Sequence, residues 1–282
     1  MNYGLGVVPS SFQSRVIELS GGLVINMKCL LNDKNKSKIG PDRLSVMALT
    51  AYLSLALSTD LRAGESLLAY WTTAQSVQER ESALKSEFDK VGLDLTVFAK
   101  FKEFNDEIKS KSPSFVIAPA EFEFVNNEYV PIVGFDGPAG KPNFKYQFYT
   151  LADGGVPDVA NSKLGVVEQA DRAEIKEVIG KLSKKIPKSI KTVSKSEDLF
   201  PLLVFKSADV IMLSPQDFES LKEKFTTAVK VIGESEMIDY PKIYVKKGQD
   251  AKTVTEAIAK LSSDGLKKVG FSSTRALLVG AK

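Results

Sequence analysis

The chain contains no histidine and a single cysteine, Cys29, among its 282 residues. Without histidine it lacks the one side chain whose ordinary pKa lies near neutrality and which is the commonest metal ligand. Ser-His and Cys-His nucleophiles are therefore excluded. One cysteine forms no disulfide within a chain, and at this length about three quarters of the unfolded surface is buried on folding, so no staple is needed. Long apolar runs are missing as well. The longest uncharged stretch, residues 44–59, is broken by Ser and Thr and falls short of the ~20 apolar residues that cross a bilayer; it fits a buried core helix. No early Lys or Arg precedes an apolar run at the N-terminus, as a secretory leader requires. The expected location is cytoplasmic: the host cytoplasm, or a virion if the protein is viral. Charge of one sign is scarce too, because 38 Lys+Arg against 35 Asp+Glu leave a net +3, which rules out a basic tail protein and an acidic disordered chain.

Phosphate-binding signatures fail on inspection. Gly140-Lys141 is followed by Pro142 where a Ser or Thr should stand, and Phe135 occupies the position of the first P-loop glycine. Gly4-Leu5-Gly6 lacks the third glycine of a dinucleotide fingerprint. No cofactor and no metal site is expected. Glu121 and Glu123 share a face of a predicted strand, the ordinary setting of two solvated acids, and Asp153 and Asp158 lack the spacing of a calcium loop.

The pattern along the chain predicts an α+β or mixed α/β fold. Residues 15–19 and 23–27 flank Ser20-Gly21-Gly22 as an N-terminal hairpin. Residues 41–111 form a helical block: one helix opened by Pro41, a second presenting Leu67, Leu68, Trp71, Leu84 and Phe88, and a third presenting Val97, Phe101, Phe104 and Ile108 at a helical period. Over 115–150 the period changes to two. Phe122 and Phe124 alternate with Glu121 and Glu123, so 121–125 and 128–133 read as a β-hairpin turning at Asn126-Asn127, and Phe144, Tyr146 and Phe148 mark a further strand. The C-terminal half alternates β and α. Ile175, Val178, Ile179 and Leu182 stripe a helix, Val210–Leu213 is a buried strand, and Ser214-Pro215-Gln216-Asp217 opens a helix whose stripe runs through Phe218 and Leu221 to Ile232. A strand at 243–245, a helix through Val254 and Ile258, and a last strand at 276–279 complete it. The polar segment 153–165 is the expected junction between two domains, 1–152 and 166–282.

The most distinctive charge feature is Lys181, Lys184, Lys185, Lys188, Lys191 and Lys195, with no acid among them. Clustered ammonium groups neutralise phosphates and release counterions; the bland alternative is a solvated helix end. Lys141 and Lys145 stand beside the 144–149 aromatics, of which Tyr149 is out of phase with the rest and is the one expected to be exposed for base stacking. Together these features lead to an expectation of a non-catalytic assembly or nucleic-acid-packaging protein, a viral nucleoprotein or coat-like subunit. It would bind RNA or single-stranded DNA through these lysines and Tyr149, and self-associate as a homo-oligomer through the apolar residues 1–12. Two alternatives stay open: a two-lobed small-molecule binding protein, and a histidine-independent enzyme.

Overall fold

The computed structural model describes residues 65–225 and 227–277. The N-terminal hairpin, the Pro41 helix, Cys29, the 1–12 arm and the second half of the 276–279 strand lie outside the described residues.

Two sheets organise the described residues. The first contains β1 (Glu65–Ala69), β2 (Leu93–Val97), β3 (Phe115–Ala118), β4 (Tyr129–Asp136), β10 (Lys242–Lys246) and β11 (Ser273–Ala276), in the order β11-β4-β10-β3-β1-β2. β1 runs parallel to β2 and β3, while β10 is antiparallel to β3 and β4. The second sheet contains β5 (Asn143–Leu151), β6 (Lys163–Val167), β7 (Ser189–Val193), β8 (Val210–Leu213) and β9 (Val229–Asp239), in the order β7-β6-β8-β5-β9. Here β6 is parallel to β7 and β8, and β5 is antiparallel to β8 and β9. The expected mixed α/β class is the one observed.

Parallel strands are joined by helices that cover both faces of a sheet, and the side chains show it. Along β1 successive residues point to opposite faces. Leu67 and Ala69 join Phe88, Leu95, Ile117 and Val254 in one core, and Leu68 and Tyr70 join Phe101, Phe104, Val116 and Tyr244 in another. Helices α1 (Val77–Lys90) and α2 (Phe101–Lys111) supply Leu84 with Phe88, and Phe104 with Ile108, to those two faces. The second sheet is likewise covered by α3 (Ile175–Ser183) on one side and α4 (Leu199–Val204) on the other.

Several sequence expectations change. Within 65–111 the described chain is β-α-β-α rather than all helix: Leu67 and Leu68 belong to β1, and Val97 ends β2. A strand buried on both faces is a short apolar run without alternation, which periodicity alone does not separate from a buried helix. The 121–125/128–133 hairpin is also absent. After Pro119 the chain turns as a 3-10 segment, Ala120–Phe124, and β10 takes the place between β3 and β4 that a hairpin partner would fill. The helix opened by Ser214, α5 (Pro215–Leu221), stops well short of Ile232, which lies in β9. Segment 153–165 connects β5 to β6 within one sheet. The passages between sheets lie instead at 137–142, after β4, and at Tyr240-Pro241, between β9 and β10. These two passages touch: the Tyr240 N–H donates to the Pro142 carbonyl at 3.3 Å. Gly137 lies so close to the Tyr240 ring that a Cβ there would sit 2.0 Å from its Cζ. The remaining helices, α6 (Lys252–Ile258) and α7 (Ser263–Lys268), pack on the first sheet through Val254, Ile258 and Leu266.

Candidate functional site

In open α/β sheets the crevice outside the carboxyl ends of parallel strands is where loops are free to build a site. Here the segment after β1, Trp71 to Thr73, the segment after β3, Pro119 to Glu121, and the segment after β8, Ser214 to Asp217, line one cavity of about 80 Å³. Phe144 and Tyr146 of β5 close it from the second sheet, and Val269 and Phe271 from the first. Asp239, Tyr240 and Pro241 contribute the wall at the crossing between sheets. The two sheets thus form two lobes, with this cavity between them.

Buried polar groups cross from lobe to lobe around it. The Tyr146 hydroxyl donates to Glu121 Oε1 at 2.6 Å and accepts from Gln169 Nε2 at 2.8 Å. The Ala74 N–H donates to Asp217 Oδ1 at 2.7 Å, and the Tyr70 hydroxyl donates to the Glu168 carbonyl. At the rim, Asn105 Nδ2 donates to Asp171 Oδ2 at 2.8 Å. Glu121 and Asp217 are 1% and 6% exposed. Burial raises the carboxyl pKa of each. The Tyr146 hydroxyl, the backbone amide of Glu121 and the charge of Lys242 pull Glu121 the other way; Ser214, the Ala74 amide, Arg80 and Thr73 do so for Asp217. Burial, and then the neighbouring Glu121, push the Tyr146 phenol well above its ordinary value. Arg80 is buried behind the site. Its Nη1 donates to the Trp71 carbonyl at 2.6 Å and its guanidinium lies 5.1 Å from the centre of the Trp71 ring.

Five aromatic rings follow one another along the cavity wall. Ring centres are 5.9 Å apart from Trp71 to Phe271, 6.5 Å from Phe271 to Tyr240, 4.8 Å from Tyr240 to Phe144, and 4.9 Å from Phe144 to Tyr146. Trp71 Nε1, buried in this wall, has no hydrogen-bond partner among the described residues.

The residues singled out in the sequence are elsewhere. Lys181 pairs with Glu177 and lies over the Phe124 ring, Lys184 pairs with Glu236 and Lys185 with Asp158. Lys188 and Lys191 are exposed, and Lys195 is 3.9 Å from Glu197. Lys141 and Lys145 line a wide groove beside the crossing, where Lys145 pairs with Glu234. Tyr149 is not the exposed ring expected: it is 1% exposed, stacked on Phe218 at 4.4 Å, and its hydroxyl donates to Gln147. Tyr149 faces away from Tyr146 and Phe148, as alternation along a strand requires, and that face is covered as well, by Leu199, Phe200 and Leu203. None of these residues lines the inter-lobe cavity. Glu121, Tyr146, Asp217, Tyr240 and Trp71 were missed as site residues. Trp71, Glu121, Tyr146 and Asp217 enter the sequence reading only as markers of local elements, Tyr240 does not enter it, and no motif links them.

No family model and no curated protein matches the sequence. Solved structures do match the fold. A binding-protein component of an ABC phosphonate transporter from Pseudomonas aeruginosa superposes with a TM-score of 0.55 at 12% identity, over 75% of this chain and 80% of that one. PhnD1 from Prochlorococcus marinus, in complex with methylphosphonate, gives 0.55 at 11% identity, over 75% and 92%. A Xanthomonas citri protein bound to ATP gives 0.53 at 10% identity, over 76% and 91%. The fold is periplasmic-binding-protein-like.

A periplasmic-binding-protein-like fold overturns the expectation of a nucleic-acid-packaging, capsid- or nucleoprotein-like subunit. The matching structures are proteins with small ligands or a transporter component, and the built cavity lies between the lobes rather than under the lysines. The RNA or single-stranded DNA partner and the self-assembling homo-oligomer fall with that reading. So does the cytoplasmic or virion location, since the same fold serves as the binding component of a membrane transporter in the Pseudomonas protein.

Proposed function

We propose that the chain is a non-catalytic binding protein that holds a small molecule in the cleft between its two lobes. The observation that carries this reading is the convergence of the segments after β1, β3 and β8, drawn from two sheets, on one cavity whose walls hold buried polar groups. Ligand sites are concave, mostly apolar, and carry a few fixed polar groups; five rings with Glu121, Tyr146 and Asp217 match that description. Two chain crossings, packed against each other at Gly137 and Tyr240, join the lobes, an arrangement suited to hinge closure around a ligand. The ligands named in the matching structures, methylphosphonate and ATP, support the small-molecule class.

The test is a thermal-shift screen of the full chain against small cations, anions, zwitterions and neutral solutes, run beside Thr72→Phe, which fills the cavity from the loop after β1. A solute at 100 times its dissociation constant stabilises the folded state by about 2.7 kcal/mol. That is worth several degrees. The reading expects such a shift in the native chain and its loss in a Thr72→Phe variant with an unchanged circular dichroism spectrum. A shift of equal size in both proteins would place binding outside the cleft.

A further inference from the structure

We propose that the cleft selects a small organic ammonium cation, embraced by its aromatic arc and by one buried carboxylate from each lobe. This deepens the binding reading above and rests on it. Every charged residue that lines the cavity is an acid: Glu121, Asp217 and Asp239. Asp239 is already paired, with Lys242 at 2.8 Å and Arg275 at 3.9 Å. Glu121, from the first lobe, and Asp217, from the second, have no ion pair among the described residues. The nearest cations, Lys242 and Arg80, act on them through their charge but form no ion pair with them. Lys242 binds Glu123 and Asp239, Arg275 binds Asp136, and Arg80 stands behind Trp71 with its Nη1 on the Trp71 carbonyl.

The rest of the wall suits the same charge. A cation is attracted to aromatic faces, and cages of such rings are the usual means of holding alkylated ammonium groups. Trp71, Phe271, Tyr240, Phe144 and Tyr146 supply five contiguous rings from both lobes and the crossing between them. An anion would need a balancing charge, and no Lys or Arg lines the cavity; part of the donor set at the helix starts near the cleft is also taken. Ser76 and Glu79 close the start of α1 on each other, and Ser214 takes the Asp217 N–H of α5. The wall also carries the buried indole N–H of Trp71, which has no partner among the described residues. It provides for an oxygen acceptor on the same ligand. A cation between Glu121 and Asp217 would also tie the lobes together, because those carboxylates already reach across to Tyr146 and Ala74.

The experiment is calorimetric titration of the full chain with tetramethylammonium, choline, 3,3-dimethylbutan-1-ol and methylphosphonate. The third is the uncharged isostere of choline, and the fourth is an anion of similar size. The proposal expects choline to bind about tenfold or more tighter than its isostere, and methylphosphonate not to bind. Glu121→Gln and Asp217→Asn, which keep shape and remove charge, should each weaken choline by about tenfold or more. Equal affinity for the isostere, binding of methylphosphonate, or no binding of either cation would overturn the cation class and leave the cleft reading standing. Choline binding that survives in Thr72→Phe would overturn both, because the site would then lie elsewhere.

Discussion

Replacing Glu121 by glutamine should change how stability depends on pH. Glu121 is 1% exposed, and burial holds its carboxyl above the ordinary range against the pull of the Tyr146 hydroxyl, its own amide and Lys242. A carboxyl raised in the folded state keeps its proton at pH values where the unfolded chain has lost it. The folded state then binds more protons, and stability falls as pH rises. Below the unfolded value, about 4.3 for glutamate, both states are protonated and the stabilising contribution is fully present. It is lost as pH rises through the folded value, beyond which it stays lost. While the folded state holds one extra proton the slope is about 1.4 kcal/mol per pH unit. Glutamine has no proton to lose. The unfolding free energy of Glu121→Gln minus that of the native chain should therefore climb above about pH 4.3, at up to about 1.4 kcal/mol per unit, and then level off. Asp217 and Glu168, also raised by burial, cancel in this difference. Urea unfolding of both proteins at steps between about pH 4 and 8 measures it. Curves that stay parallel over that whole range would refute the reasoning that Glu121 is a desolvated carboxyl.

Gly137→Ala should push the Tyr240 ring out of the cavity wall, since the new Cβ would meet Cζ at 2.0 Å; calorimetry should show weakened ligand binding with the protein still folded. Lys184→Gln with Lys185→Gln breaks only exposed pairs with Glu236 and Asp158, so urea melts should shift by less than about 1 kcal/mol and cleft binding should not change. Limited proteolysis should nick the exposed run 152–156, and the pieces should co-elute under native conditions because β5 pairs with both β8 and β9. Pieces that separate on a sizing column would instead support a domain junction at 153–165.

What was legible in the sequence was local. The Ser214-Pro215 start of α5 works through a side-chain cap and a proline at the first helical position, and both are in place. The Ile175, Val178, Ile179 and Leu182 stripe lies buried, as a period of 3.6 requires. β1 was hidden because burial on both faces removes the alternation that marks a strand. The pairing of β3 with β10 joins residues more than a hundred positions apart, beyond the reach of any local signal. The same distance hides the site. Glu121 carries the pattern of a solvated strand acid, and only the return of β5 with Tyr146 turns it into a buried, hydrogen-bonded group. Asp217 is visible as a helix-start acid, and its contact with Ala74 depends on how the lobes meet. The lysine cluster stood out because charge runs are conspicuous in one dimension. In three dimensions two of its members, Lys184 and Lys185, pair with acids from other elements.

Trp71 is the chain's one tryptophan and it lines the inter-lobe cavity, so its emission reports on the cleft without a label. The most direct measurement is a fluorescence titration with each solute that raises the melting temperature. Binding between the lobes predicts a saturable change in Trp71 emission, with the same midpoint as the calorimetric titration. A solute that stabilises the protein while Trp71 emission stays constant through saturation would contradict it.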